Sequence, residues 1–140
     1  MKRPLLALLF IATSFAVNPA YAEPKEAISI QLNTAEAAGD ACRLTFVIQN
    51  KLASPVDTLG LDLVMFDQSE GVSGYAAVDF GAMPPGKTVV RQYDVGQGAC
   101  GGISRILLNE VRTCEVNKNA VSDCLSKLSI TSRSDIDFIL

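Results

Sequence analysis

The chain has 140 residues, of which 49% are apolar and 19% are charged, and its formal net charge at pH 7 is −3. This composition is too apolar for a disordered protein, and the length suits one domain. The sequence contains no histidine, which excludes nucleophilic sites that use an imidazole base and zinc sites with histidine ligands.

The N-terminal segment has the pattern of a secretory leader. Lys2-Arg3 precedes an apolar stretch over residues 4–17, and the small-residue pattern Ala20-Tyr21-Ala22 follows it. The apolar stretch is too short to cross a bilayer, and this order of segments is typical of a signal peptide for general export, cleaved after its last alanine. We therefore expect a signal peptide over 1–22, a single domain over 23–140, and a periplasmic or secreted location.

The remaining sequence alternates strand patterns with turn signals. Segment 59–66 is apolar on both faces, with Val64 and Phe66 on one of them, which predicts a central strand. A short helix is expected over 121–127, with Asn119 as its N-cap. The other predicted strands and extended segments are 28–32, 42–49, 72–80, 88–95, 103–111, 128–131 and 136–140. The predicted connections are 34–40, 50–57, 67–71, 83–87 and 96–102. This spacing predicts an all-β fold, an antiparallel Ig-like β-sandwich of seven or eight strands with at most one short helix.

Four cysteines, Cys42, Cys100, Cys114 and Cys124, predict two disulfides in an exported protein. The predicted strand over 103–111 holds Cys100 and Cys114 about 25–30 Å apart at about 3.3 Å per residue, whereas a disulfide needs Cα atoms within about 7 Å. Two pairings remain. We favour Cys42–Cys100 with Cys114–Cys124 over Cys42–Cys114 with Cys100–Cys124, because the second bridge then closes a short polar loop. The spacings differ from those of redox-active pairs and four-thiolate zinc sites, so no cofactor or metal is expected.

Three polar features of the sequence are candidate chemical sites. The acidic turn Asp67–Gly71 could hold Ca²⁺, but it lacks the ligand spacing of an EF-hand, and a solvated turn is favoured. Asp62, Asp79 and Asp94 could supply a carboxylate pair of the kind that glycosidases use, although a solvated sheet face is favoured. The glycine-rich loop 96–102 lacks the Lys-Ser/Thr ending of a phosphate-binding loop, and glycines with positive φ beside a disulfide are favoured.

Two groups of side chains are candidates for partner binding. Tyr75, Arg91 and Tyr93 could line a sheet face that contacts a partner, because tyrosine and arginine are typical anchors of interfaces, although packing in the core or at a sheet edge is favoured. The segment Phe138-Ile139-Leu140 is apolar, and it either completes a sheet of this protein or adds a strand to a partner. The first of these two interpretations is favoured.

Several runs of the sequence resemble known exported proteins. The runs CRLTF at 42–46, LDLVMFD at 61–67, PGKT at 85–88 and CGGISR at 100–105 are similar to a group of small alphaproteobacterial proteins that are labelled only by their export signal, as Tat pathway signal proteins. The middle of the chain also resembles small Ig-like modules of bacterial envelope proteins. This resemblance implies binding or scaffolding instead of catalysis, and it assigns no catalytic residue.

These observations predict a non-enzymatic periplasmic protein of the bacterial cell envelope. Without the leader the chain has ten basic and fifteen acidic residues, and an acidic surface argues against nucleic acid or anionic lipid as a partner. We therefore expect a binding or scaffolding role in which a sheet face or edge contacts a protein or glycan. The alternatives are a carboxylate-dependent glycan-processing hydrolase and a periplasmic chaperone or subunit module.

Overall fold

A computed structural model describes residues 27–96 and 98–140, which form nine strands and two short 3₁₀ turns. The predicted signal peptide lies outside the described residues. The strands are β1 (Ile28–Ala38), β2 (Ala41–Asn50), β3 (Val56–Phe66), β4 (Val72–Asp79), β5 (Thr88–Val95), β6 (Arg105–Val116), β7 (Asn119–Ala120), β8 (Leu128–Ser132) and β9 (Asp137–Ile139). The 3₁₀ turns cover Cys100–Gly102 and Cys124–Lys127. Within the described ranges, no helix has the length and apolar character needed to cross a membrane.

The strands form two sheets, and the predicted all-β sandwich is confirmed. The first sheet has the order β5-β2-β1-β8, and the second has the order β4-β3-β6-β7 with β9 also paired to β6. Both sheets are mixed instead of purely antiparallel, because β8 runs parallel to β1 and β9 runs parallel to β6. The strand count is nine, one more than the upper expectation, because the sequence pattern gave no signal for the two-residue strand β7.

Aromatic rings from both sheets meet in the core between them. The ring of Phe46 in β2 lies 5.7 Å from those of Phe80 and Phe138, in edge-on geometry. Phe138 belongs to β9 of the second sheet and is 6% exposed. Such edge-to-face pairs add to the stabilisation that burial of the rings provides. The C-terminal aromatic residue therefore completes the sandwich, as the favoured interpretation predicted.

The expected connection over 34–40 is wrong for most of its length, since β1 continues to Ala38. A bulge between Leu32 and Thr34 shifts the register with β2, after which pairing resumes as far as Ala38 and Ala41. Gly39 has a φ of 58° and closes the two-residue turn between these strands. The small residues of this segment lack the apolar alternation that predicts a strand, but a hairpin needs only the paired backbone.

The helix expected over 121–127, with Asn119 as N-cap, is also wrong. Asn119 lies in β7, and only Cys124–Lys127 forms a 3₁₀ turn. Asn117 and Lys118 have φ values of 51° and 62°, the conformation of a two-residue type I′ hairpin turn. β6 accordingly extends to Val116, beyond the end predicted for that strand, and pairs there with β7.

The favoured disulfide pairing is confirmed, with bonds Cys42–Cys100 and Cys114–Cys124. The first bond joins β2 to the 3₁₀ turn that precedes β6. The second joins β6 to the 3₁₀ turn that precedes β8. Each bond ties an irregular segment to a strand, which limits the freedom of the unfolded chain.

Candidate functional site

The outer face of the second sheet carries a row of apolar side chains that crosses four strands. Val64 in β3 lies opposite Tyr75 in β4 and opposite Leu107 in β6, and Leu107 lies opposite Ile139 in β9. Residues directly opposite each other share one face of a sheet. We call Tyr75, Val64, Leu107 and Ile139 the outer-face row.

The exposure of the outer-face row distinguishes it from the core. Tyr75 is 78% exposed and Ile139 is 37% exposed. Val64 is only 6% exposed, yet it does not belong to the core cluster that contains its neighbours Leu63 and Met65. Its burial therefore comes from neighbouring side chains on the outer face, and the row forms a shallow apolar surface instead of a set of isolated residues.

Charged side chains flank the row on one side. Next to it, the guanidinium of Arg105 lies 4.6 Å from the ring centroid of Phe66, a cation–π contact. The same guanidinium lies 3.4 Å from a carboxylate oxygen of Glu70. Val72 in β4 lies opposite Phe66, and it is 53% exposed. This flank combines a positive charge with accessible apolar surface.

On the other side of the outer-face row, Arg112 bridges two of the three aspartates that were candidates for a catalytic carboxylate pair. Its guanidinium lies 2.5 Å from Asp62 and 2.9 Å from Asp79, and the hydrogen bond with Asp62 is the main cause of its raised pKa. Gly60 lies beneath this group, where a Cβ atom would fall 2.6 Å from an oxygen of Asp79. We call Arg112, Asp62 and Asp79 the ion-pair cluster; an apolar centre with a charged rim is the usual anatomy of a protein interface.

The third predicted acidic residue, Asp94, lies apart from this cluster on β5 of the first sheet. It pairs with Arg43 through two hydrogen bonds of 2.7 and 2.9 Å. The Arg43 guanidinium holds the pKa of the Asp94 carboxyl below its ordinary value. The three aspartates considered as catalytic carboxylates therefore each bond an arginine, and the structure divides them between two sheets.

The predicted partner-binding residues Arg91 and Tyr93 do not join the outer-face row. They lie on β5, where Arg91 Nε donates a hydrogen bond to the carbonyl of Phe80 at 3.2 Å. The Tyr93 hydroxyl donates to the carbonyl of Asp79 at 2.5 Å, and burial raises its pKa. Both side chains hold the segment that crosses from the second sheet to the first.

The C-terminal candidates separate into one core residue and two accessible ones. Phe138 is buried, whereas Ile139 belongs to the outer-face row and Leu140 is 62% exposed. Of the six predicted binding residues, the structure thus brings Tyr75 and Ile139 together on one surface. Val64 and Leu107 were not among the predicted binding residues, although the apolar character of both faces of β3 indicates that its outer face is covered.

The two loops considered for ions have local structural roles. Asp67 Oδ1 accepts hydrogen bonds from the backbone N–H groups of Ser69 and Gly71, at 2.8 and 3.0 Å, a common way to fix an aspartate turn. The described residues contain no group of three or more potential metal-ligating side chains. In the glycine-rich loop, Gly96 and Gly98 have positive φ values of 69° and 152°, as the favoured interpretation predicted; residue 97 of that loop lies outside the described residues.

Comparison with known proteins gives one structure with a similar fold. No family model matches the chain, and no curated protein sequence matches it. The solved structure of IrmA from Escherichia coli is similar to this structure, with a TM-score of 0.57 and 18% sequence identity. The similarity covers 74% of this chain and 90% of the IrmA chain. At this identity the comparison shows a shared fold alone.

Proposed function

We propose that this protein is an exported, non-enzymatic binding module whose outer-face row docks onto another component of the cell envelope. The observation that carries the proposal is the continuous apolar row across four strands, in which Tyr75 is 78% exposed and Val64, opposite it on the next strand, is 6% exposed. Tyrosine is one of the residue types that contribute most of the binding energy at protein interfaces.

The rim of the row favours a protein partner over a glycan. Arg105 lies on one side and the ion-pair cluster on the other, so that both charge signs border an apolar centre, as at protein interfaces. A partner with a complementary apolar strip and opposite charges at its margins fits this arrangement.

Three further features support export and a non-catalytic role. Two disulfides form readily only in an oxidising compartment such as the periplasm or the exterior. The leader pattern of the sequence and its resemblance to exported alphaproteobacterial proteins agree with that location. The sequence has no histidine that could act as a general base. The three candidate aspartates each pair with an arginine, which argues against an acid–base role for their carboxylates.

Site-specific photo-crosslinking in intact cells tests the proposal. A photoreactive phenylalanine derivative replaces Tyr75 in one variant and Val90 in the control; Val90 is 56% exposed on the first sheet. We expect one discrete crosslinked protein from position 75, absent from position 90, and weakened by the additional change Ile139→Asp. The same products from both positions, or none from position 75, would refute docking through this face.

A further inference from the structure

The second sheet has an incomplete edge. On the side of β6 that faces away from β3, β9 pairs with residues 105–107 and β7 pairs with residues 115–116. The N–H of Val121 also bonds the carbonyl of Cys114, at 2.9 Å. Within the part of the chain that the structure describes, no strand pairs with residues 108–113 on this side.

A groove follows this unpaired stretch. It has a volume of about 550 Å³ and lies between Asn109–Glu115 on β6 and the disulfide-linked segment around Val121 and Leu125. Leu125 is 49% exposed, so that the far wall offers an apolar contact. We call this groove the edge groove; it lies at the margin of the sheet and is separate from the outer-face row.

The length of the gap limits what can occupy it. Six residues of regular strand measure about 20 Å at about 3.3 Å per residue, and the bulges at Asn109 and Arg112 shorten this stretch. β9 and β7 close its two ends. The β6 strand of a second copy has twelve residues and would collide with both flanking strands. A short peptide that leaves the plane of the sheet at each end fits the gap.

The charges of the groove indicate which side chains such a peptide carries. Glu110 and Glu115 line the groove and form no salt bridge among the described residues. Arg112 lines it as well, but its charge is engaged in the ion-pair cluster. The free charges are thus negative, and they complement basic side chains.

We propose that the edge groove binds a short extended segment of a partner protein, five or six residues long, by β-strand addition to β6. Its backbone pairs with the free N–H and C=O groups of residues 108–113, which supplies affinity. Basic side chains lie beside Glu110 and Glu115, and an apolar side chain packs against Leu125. This inference uses a different surface from the proposed docking through the outer-face row, so either can fail alone.

An engineered extension tests whether the gap accepts a strand. β9 pairs in parallel with β6, with Ile139 opposite Leu107, so residues added after Leu140 fall beside residue 109 and beyond if the register continues. We append Lys-Val-Thr-Val-Lys in one variant and Lys-Pro-Gly-Pro-Lys in the control, because proline cannot donate to the ladder. The fused segment has a high effective concentration, and neither variant alters the domain itself.

The readout is amide hydrogen exchange at residues 108–113, measured by NMR. We expect at least about tenfold slower exchange at groove-facing amides with the Lys-Val-Thr-Val-Lys extension, and no change with the proline control, because paired amides exchange only on opening. Amides of the β5 edge serve as an internal reference. Equal exchange rates in the two variants would overturn the proposal.

A titration with a free peptide supplies the second arm. Acetyl-Lys-Val-Thr-Val-Lys-amide, added to the unextended protein at millimolar concentration, is expected to shift resonances of residues 109–115 and 120–125. Leu125→Ser should weaken this binding about tenfold through lost apolar contact, whereas the matched Val90→Ser should not. Equal binding by the peptide N-methylated at both valines, shifts confined to the outer-face row, or no shifts at all would contradict strand addition.

Discussion

Asn50 is the buried polar side chain of the described core, and it offers a sharp test of how the loops are held. It is 0% exposed. Its Nδ2 donates to the carbonyls of Ser54 and Met83, and its Oδ1 accepts from the N–H of Leu52, all at 2.9 Å. One side chain therefore joins the end of β2 to the loop after it and to the turn before β5.

We expect Asn50→Ala to lower the free energy of unfolding by about 3 kcal/mol. The three hydrogen bonds contribute roughly 1 kcal/mol each, and the Met83 carbonyl keeps a second donor, the N–H of Val56, which limits its loss. Asn50→Asp should cost more near pH 7, because a buried carboxylate then faces two carbonyl oxygens. That additional loss should shrink in acid, since burial raises the pKa of the new carboxyl above its unfolded value, and protonation relieves the cost.

Urea unfolding of the oxidised protein at pH 7 and pH 4 measures these differences. Asn109→Ala is the matched control, because Asn109 is exposed on β6 and should change stability by less than about 0.5 kcal/mol. A loss below about 1 kcal/mol for Asn50→Ala, or equal stability of Asn50→Asp and the wild type at pH 7, would refute the assigned role of this side chain.

Three other substitutions test the surface contacts. Gly60→Ala should displace the ion-pair cluster and lower the Tm in thermal unfolding, because its Cβ would lie 2.6 Å from side-chain oxygens; an unchanged Tm would contradict this. Arg43 lowers the pKa of Asp94 in the folded state. The stabilisation that the Arg43–Asp94 pair provides is therefore complete above the unfolded pKa of about 3.9, and it is lost as the pH falls through the folded pKa. Asp94→Asn should flatten the fall in Tm between about pH 5 and pH 2, and an unaltered slope would exclude the pair as the cause of that fall. Tyr93→Phe removes the hydrogen bond to Asp79 and should cost about 1 kcal/mol in urea unfolding, whereas equal midpoints would mean that water replaces the hydroxyl.

Local patterns carried much of the fold prediction. The alternation in 42–49 and 88–95 placed β2 and β5 within a residue of their observed limits. The length of the predicted strand between Cys100 and Cys114 excluded a disulfide between these two cysteines, and the observed bonds agree with that exclusion. Both inferences depend on geometry within one segment, which a single sequence contains.

The features that were missed depend on register between distant segments. The outer-face row joins Tyr75 to Ile139 through Val64 and Leu107, and only the pairing of four strands reveals it. The parallel course of β8 and β9 likewise has no local signature, because the direction of a strand is set by the connection before it. The turn at Asn117 and Lys118 was overlooked because the flanking strand β7 is only two residues long.

The order in which the strands close the sandwich has a consequence for biogenesis. β8 and β9, which both come from residues 128–139, supply the last strand of the first sheet and the partner for the start of β6 in the second. Ile28 pairs with Leu128 across a hundred positions of sequence, and such non-local contacts form slowly. A polypeptide that emerges with its N-terminus first therefore has unpaired edges on both sheets until residues 128–139 follow. During that interval the chain is most prone to aggregation and has the greatest need for chaperone binding.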